Sequence, residues 1–172
     1  IIALSGCLAG EIQRRLLNGD YSGAKAEALA MRDIFGEKNF FLEIQDQGLE
    51  EEARIMPDMK RLHEETGIPL VATNDVHYVR KEDAVAQDVL MCIQMGCTVD
   101  EENRMRFPND EFYLKSEEEM RKIFANMPEA VDNAHEIAER CNVEITFGQL
   151  HLPDFNAPDG LTNREYLRKL CE

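Results

Sequence analysis

The hydrophobic pattern alternates between short apolar runs and longer segments of helical period. Three runs, at about residues 1–5, 40–45 and 68–73, are rich in β-branched, aromatic or other apolar side chains and predict strands. Between them, apolar positions recur every three or four residues, which predicts helices. Strands that alternate with helices are typical of β-α-β crossovers, which place the strands parallel in one sheet. The pattern therefore predicts an α/β fold.

Two capping boxes are predicted where helices would begin, Ser116 with Glu119 and Thr162 with Glu165, and residues 143–147 are predicted to be a last short strand.

Three further predictions concern individual helices. Pro57 lies inside the helix predicted at about 49–66, and we expect it to kink or split that helix. A helix at about 81–95 is predicted to turn four side chains inward: Val85, Val89, Cys92 and Ile93. A helix at about 128–141, opened by Pro128, has a predicted buried stripe of Val131, Ala134, Ile137, Ala138 and Cys141.

Polar side chains follow the apolar runs. Asp75 and His77 come just after the third run, two residues apart, and on a regular strand they would point to the same side. A carboxylate and an imidazole at a strand end can share a divalent metal, but they can also be a hydrogen-bonded pair that closes the strand. Cys7 follows the first run in the same way, either as a ligand or as a small buried residue. The spacing leaves these alternatives open.

Glu43 lies inside the second apolar run, which is unusual for a buried strand. Either it faces the site at the strand ends, or it pairs with a positive side chain across the sheet. We expect the second arrangement.

Composition and charge restrict the classes of function. The 172 residues have a formal net charge of −15, which repels a phosphate backbone and makes this chain alone a poor nucleic-acid binder. No apolar run approaches a membrane span, and the five scattered cysteines fit a reduced, cytoplasmic compartment best. The chain begins at Ile1 on an apolar run, so we expect a segment of a longer protein.

Four stretches together resemble a known family. They are Ala3–Glu11 (ALSGCLAGE), Ile68–Tyr78 (IPLVATNDVHY), Asp110–Ser116 (DEFYLKS) and Glu136–Asn142 (EIAERCN). In this order they resemble the second half of the polymerase-and-histidinol-phosphatase (PHP) domain of the bacterial replicative DNA polymerase III α subunits, the C-family polymerases. The resemblance implies that residues 1–150 are PHP domain and that residues 151–172 are a linker and first helix leading towards the polymerase palm.

The same resemblance implies a distorted (β/α)7 barrel with a metal cluster at the carboxyl ends of its parallel strands. Three positions of that cluster fall here and make Cys7, Asp75 and His77 the expected metal ligands. A cysteine ligand points to zinc or another borderline-soft metal rather than to magnesium alone, and the metal expected at this site is zinc or manganese. Gln47 stands where many relatives have histidine. The family's opening His-x-His strand is absent, so the cluster is expected to be incomplete within this chain.

The function implied is that of part of a DNA-directed DNA polymerase, whose magnesium-dependent polymerisation would be performed outside this segment. The PHP portion would be structural or would act as a metal-dependent 3′–5′ exonuclease. Expected partners, through the longer protein, are the proofreading exonuclease, the sliding clamp and DNA, with no membrane. The alternatives are a stand-alone PHP phosphoesterase and a degenerate scaffold. The segment alone is expected to expose unpaired strand edges and apolar surface, and therefore to self-associate or to swap elements with a second copy.

Overall fold

The computed structural model describes all residues from 1 to 172, in two compact units, Ile1–Cys141 and Asn142–Glu172. The first unit contains a three-stranded parallel sheet in the order β1 (Ala3–Leu4), β2 (Phe40–Ile44) and β3 (Leu70–Ala72). Ala3 pairs with Phe40, and Leu42 pairs with Leu70. The α/β class with parallel strands is confirmed.

Helices follow the first two strands, as the sequence pattern predicts. Helices α1 (Glu11–Leu17) and α2 (Tyr21–Phe35) connect β1 to β2, and α3 (Glu50–Thr66) connects β2 to β3. Ala24 and Ala28 are completely buried on α2 because their small side chains allow the helix to approach its neighbours closely. Asp20 caps α2 by accepting a hydrogen bond from the Gly23 N–H at 2.9 Å.

The rest of the first unit is mainly helical. A 3₁₀ turn (Lys81–Asp83) leads into α4 (Ala84–Met95), and α5 (Glu117–Ile123) and α6 (Pro128–Arg140) follow a long connection. The predicted capping box at α5 is present, since Ser116 Oγ accepts from the Glu119 N–H and the Glu119 carboxylate accepts from the Ser116 N–H. Helix α6 packs against β3.

The second unit contains a 3₁₀ turn (Pro158–Gly160) and α7 (Asn163–Cys171). Thr162 and Glu165 form the capping box predicted for α7. Residues 143–147, predicted to be a short strand, form no strand. That prediction was wrong because a strand requires a pairing partner, and an apolar run does not by itself supply one.

The hydrophobic core of the first unit lies between the sheet and helices α1, α2, α3 and α6. Its largest fully buried side chains include Phe40, Phe124, Leu42, Ile44, Met59, Leu62, Ile68 and Leu70. The core therefore fixes the strand ends, where the candidate site lies.

Three helix predictions need correction. Helix α3 runs unbroken through Pro57, because its inward residues Ile55, Met59 and Leu62 stay packed in the core. Of the four α4 residues predicted to face inward, only Cys92 is buried. Of the predicted α6 stripe, only Val131 is buried, and Cys141 is exposed. Periodicity located the helices but did not determine whether another element covers their apolar faces.

Candidate functional site

The turn after β1 brings Cys7 to the carboxyl end of the sheet. Gly6 has φ of +84°, a backbone conformation that side chains with a Cβ rarely adopt. Gly10 lies so close to the turn that a Cβ there would be 2.4 Å from the Ser5 carbonyl oxygen. Gln13 of α1 stabilises the turn, because its Nε2 donates hydrogen bonds to Ser5 Oγ and to the Gly6 carbonyl, both at 2.8 Å. The Cys7 turn is thus held from two sides.

Glu43 of β2 lies at the centre of the strand ends. Its carboxylate accepts hydrogen bonds from the Gly6 N–H at 3.1 Å, from Gln45 Nε2 at 3.1 Å and from the Thr73 hydroxyl. All of these donors are neutral, and Glu43 forms no ion pair. The expectation that Glu43 answers a positive side chain across the sheet was therefore wrong, and Glu43 faces the site instead. It connects β1, β2 and the end of β3.

A small cavity of about 20 Å³ lies beside this carboxylate. Cys7, Gln13, Glu43, Gln45 and Glu52 contribute its polar lining, and Ile55, Met56 and Met59 are among its apolar lining. This volume is about that required for one water molecule. Gln13 Oε1 is buried and accepts no hydrogen bond from the protein. The strand ends therefore offer an unused oxygen acceptor next to a thiol and two carboxylates.

Glu52 is a second acidic group of this region that the sequence did not single out. Only 3% of it is exposed, and its carboxylate accepts from the Gln47 N–H at 2.7 Å and from the Leu49 N–H at 3.3 Å. Burial raises the pKa of Glu52, these two hydrogen bonds oppose that rise, and the charges of Asp46 and Asp75 add to it. Its position three residues after the α3 N-cap is the signal that could have identified it.

Asp75 and His77 lie in the irregular segment after β3. Asp75 has φ of +46°, in the left-handed region, and is half-buried. His77 is exposed, and its Nδ1 donates to the Asp75 backbone carbonyl at 2.7 Å, so Nε2 is the acceptor of the neutral ring. The ring also packs against Phe107, with 4.6 Å between centroids. A ligating histidine commonly donates its other ring nitrogen to a carbonyl in this way.

A buried polar network holds this segment in place. Asn74 Nδ2 donates to the Glu111 carbonyl at 3.0 Å and to the Tyr113 carbonyl at 2.7 Å, while Asn74 Oδ1 accepts from Lys115 Nζ at 3.2 Å. Lys115, with only 3% of its side chain exposed, also pairs with Glu111 at 3.0 Å. Gln47 is also buried, with its Nε2 3.5 Å from Asn74 Oδ1. Gln47 therefore serves this network.

The three expected ligands share the carboxyl end of the sheet but do not form a compact group. No three His, Cys, Asp or Glu side chains of the structure lie close enough to hold a metal ion. Glu52 lies between the Cys7 part and the Asp75 part of the site, since it lines the cavity with Cys7 and interacts electrostatically with Asp75. Thiol, carboxylate and imidazole form a donor set that suits a borderline-soft divalent metal. The assignment of Cys7, Asp75 and His77 as metal ligands therefore stays a prediction.

Comparisons with known proteins show similarity to one domain family and to one group of polymerase subunits. Residues 1–47 match the family model of the PHP domain. The chain is 45% identical over 171 residues to DNA polymerase III subunit alpha of Treponema pallidum, and 45% identical over 174 residues to that of Deinococcus radiodurans. These alignments cover 99% and 98% of this chain but only 15% and 13% of the relatives. The subunit of Thermus aquaticus is 44% identical over 99% of this chain and 14% of its own length.

No helix in the structure is both long and apolar enough to cross a membrane.

Proposed function

We propose that this chain, which is homologous over nearly its whole length to one segment of DNA polymerase III subunit alpha, acts as that segment in a replicative, DNA-directed DNA polymerase. The observation that supports the proposal is the 45% identity over 99% of the chain. The net charge of −15 disfavours contact with a phosphate backbone, which supports the proposal that other parts of the longer protein bind DNA and add nucleotides. Contacts with a proofreading exonuclease and a sliding clamp would likewise be made through the longer protein.

Within that polymerase, the proposed role of the strand ends is to bind a divalent metal, zinc or manganese. Cys7, Asp75 and His77 would be ligands from this chain, with further ligands supplied from elsewhere in the longer protein. When bound, such a metal would activate water for cleavage of a phosphodiester. The chain's own residues prepare the site. The Asp75 carbonyl orients the His77 ring, and Glu43 holds the Cys7 turn through the Gly6 N–H.

Metal content tests this proposal. We expect the longer protein to retain zinc or manganese on elemental analysis, and Asp75→Asn within it to lower the metal affinity by at least about 10-fold because a charged ligand is lost. Asp159→Asn is the matched control, since Asp75 and Asp159 are the two non-glycine residues with positive φ. Asp159→Asn removes the same charge from a residue in the same backbone conformation, but at an exposed position.

His77→Gln, with exposed His151→Gln as its control, tests the imidazole independently. Equal metal retention by Asp75→Asn and Asp159→Asn would contradict the ligand assignment. Absence of retained metal from the unsubstituted longer protein would overturn a site built on these three residues. If metal is bound and lost on substitution, a nuclease assay on the longer protein distinguishes an exonuclease from a structural metal site.

A further inference from the structure

The C-terminus of α4 forms a double hydrogen-bonded helix end. The Gly96 N–H donates to the Ile93 carbonyl at 3.3 Å, and the Cys97 N–H donates to the Cys92 carbonyl at 3.0 Å. Gly96 has φ of +67°, the left-handed conformation that this Schellman motif requires. The motif characteristically brings the side chains of the two residues joined by the longer bond into contact. Here those residues are both cysteines.

The two thiols are suitably placed for a covalent link. A disulfide needs Cα atoms no more than about 7 Å apart, and a backbone hydrogen bond between the same two residues keeps them within that range. Both cysteines are free thiols. Cys92 is 4% exposed, whereas Cys97 is half-buried and reachable from solvent. One thiol is therefore accessible and its neighbour is protected.

An ion pair holds the segment after Cys97 against the helix. Arg104 Nη1 and Nη2 donate to the two carboxylate oxygens of Asp88 at 2.5 and 2.6 Å, and Nη2 also donates to the Val99 carbonyl at 3.2 Å. Only 4% of the Arg104 side chain is exposed. Asp88 lies one helical turn before Cys92, so the guanidinium lies close enough to both thiols to interact electrostatically with each.

We propose that Cys92 and Cys97 are a redox-sensitive pair that forms a reversible intramolecular disulfide with a peroxide as oxidant. The accessible Cys97 thiolate attacks a peroxide oxygen, the O–O bond breaks, and Cys97 becomes a sulfenic acid while the leaving hydroxide is protonated to water. The Cys92 sulfur then attacks the Cys97 sulfur, and the S–O bond breaks. The hydroxide leaves as a second water with the Cys92 proton. Two thiols and one hydrogen peroxide give one disulfide and two waters.

The surroundings of the two thiols indicate which one reacts first with the peroxide. Burial raises the pKa of the Cys92 thiol, the hydrogen bond with Cys97 raises it further, and the Arg104 charge opposes both effects. Cys92 is therefore the slower nucleophile towards an oxidant in solution and suits the resolving role. The inference is independent of the proposed metal site, because it uses neither Cys7, Asp75 nor His77.

Peptide mapping of the oxidised full chain tests the proposal. Trypsin cleaves after Lys81 and Arg104, so one peptide of residues 82–104 carries Cys92 and Cys97 and no other cysteine. After treatment with equimolar hydrogen peroxide and then iodoacetamide, we expect this peptide to be lighter by two hydrogen atoms and to carry no alkyl group. Dithiothreitol should restore both thiols. The link should form at least about 10-fold faster than any link involving the exposed Cys141 or Cys171.

Single substitutions separate the two roles. Cys97→Ser should leave Cys92 reduced and alkylated, whereas Cys92→Ser should leave a Cys97 sulfenic acid that dimedone traps. Cys141→Ser is the matched control and should leave the 92–97 link unchanged. Peptide 82–104 that stays fully alkylated while Cys141 and Cys171 become oxidised would overturn the proposal. Trapping of the sulfenic acid on Cys92 in the Cys97→Ser variant, at the rate seen for Cys97, would overturn the assigned order.

Discussion

Helices α3 and α4 show that the composition of a helix does not determine its environment. Helix α3 contains an interior proline and many charged residues, yet it buries Glu52, Ile55, Met59 and Leu62 against the rest of the first unit. Helix α4 has no proline and is rich in alanine, valine, leucine and methionine, yet Cys92 is its only buried residue. The helix with the weaker intrinsic propensity is therefore the one that belongs to the core.

The difference shows that packing outweighs propensity here. Proline in a helix interior costs about 3 kcal/mol relative to alanine, whereas full burial of one large apolar side chain contributes about 1.5–3 kcal/mol. The three buried apolar residues of α3 can offset the cost of Pro57. Helix α4 also carries large apolar side chains, but they are left uncovered, and Val85 and Ile93 are 74% and 71% exposed.

The largest expected effect comes from the same truncation made in each helix. Ile55→Ala in α3 should lower the free energy of unfolding by about 2–5 kcal/mol, because it leaves a cavity in the core. Ile93→Ala in α4, the matched control, should change it by less than about 0.5 kcal/mol. Urea unfolding followed by circular dichroism measures both. Equal costs at the two positions would contradict the difference between the helices, since α4 would then be packed in solution.

A smaller effect is expected at the proline. Pro57→Ala should raise the free energy of unfolding by about 1–3 kcal/mol, because alanine restores an N–H that can donate to the Ala53 carbonyl. Pro57 is exposed, so the substitution leaves no cavity in the core. Pro128→Ala is the control, since Pro128 occupies the first position of α6, where an N–H has no partner within the helix. If Pro57→Ala and Pro128→Ala change the free energy of unfolding equally, then Pro57 does not destabilise α3, and there is no cost for packing to offset.

Substitutions on the exposed face of α4 should have the smallest effect on the free energy of unfolding, but they should change how strongly the chain self-associates. Uncovered apolar side chains of this kind promote association. Light scattering should show an average mass that rises above 19.7 kDa with concentration. Ile93→Lys should return the mass towards that of the monomer. Gln94→Lys, which adds the same charge at an exposed polar position of α4, should not. A monodisperse monomer at every concentration would refute the predicted self-association.

The residues of the candidate site also differ in how far they can be predicted. Some can be selected from the sequence around them, whereas others depend on partners that are distant along the chain. Cys7, Asp75 and His77 could be selected from the sequence because each follows an apolar run, and parallel strands place such residues at one edge. The environments of Glu43 and Lys115 could not be assigned in this way. Hydrogen-bond partners of these two residues lie 30 and 41 residues away, namely Thr73 for Glu43 and Asn74 for Lys115.

The sequence by itself determined the features that depend on neighbours along the chain. These are the positions of the three strands, the capping boxes before α5 and α7, and the glycine that ends α4. Such features follow from backbone conformation and hydrogen bonds within one or two turns. The three-dimensional packing was needed to show that Glu43 faces the cavity, that Glu52 and Lys115 are buried, and that α4 is left uncovered. Burial depends on what packs across a surface, and no local pattern specifies that partner.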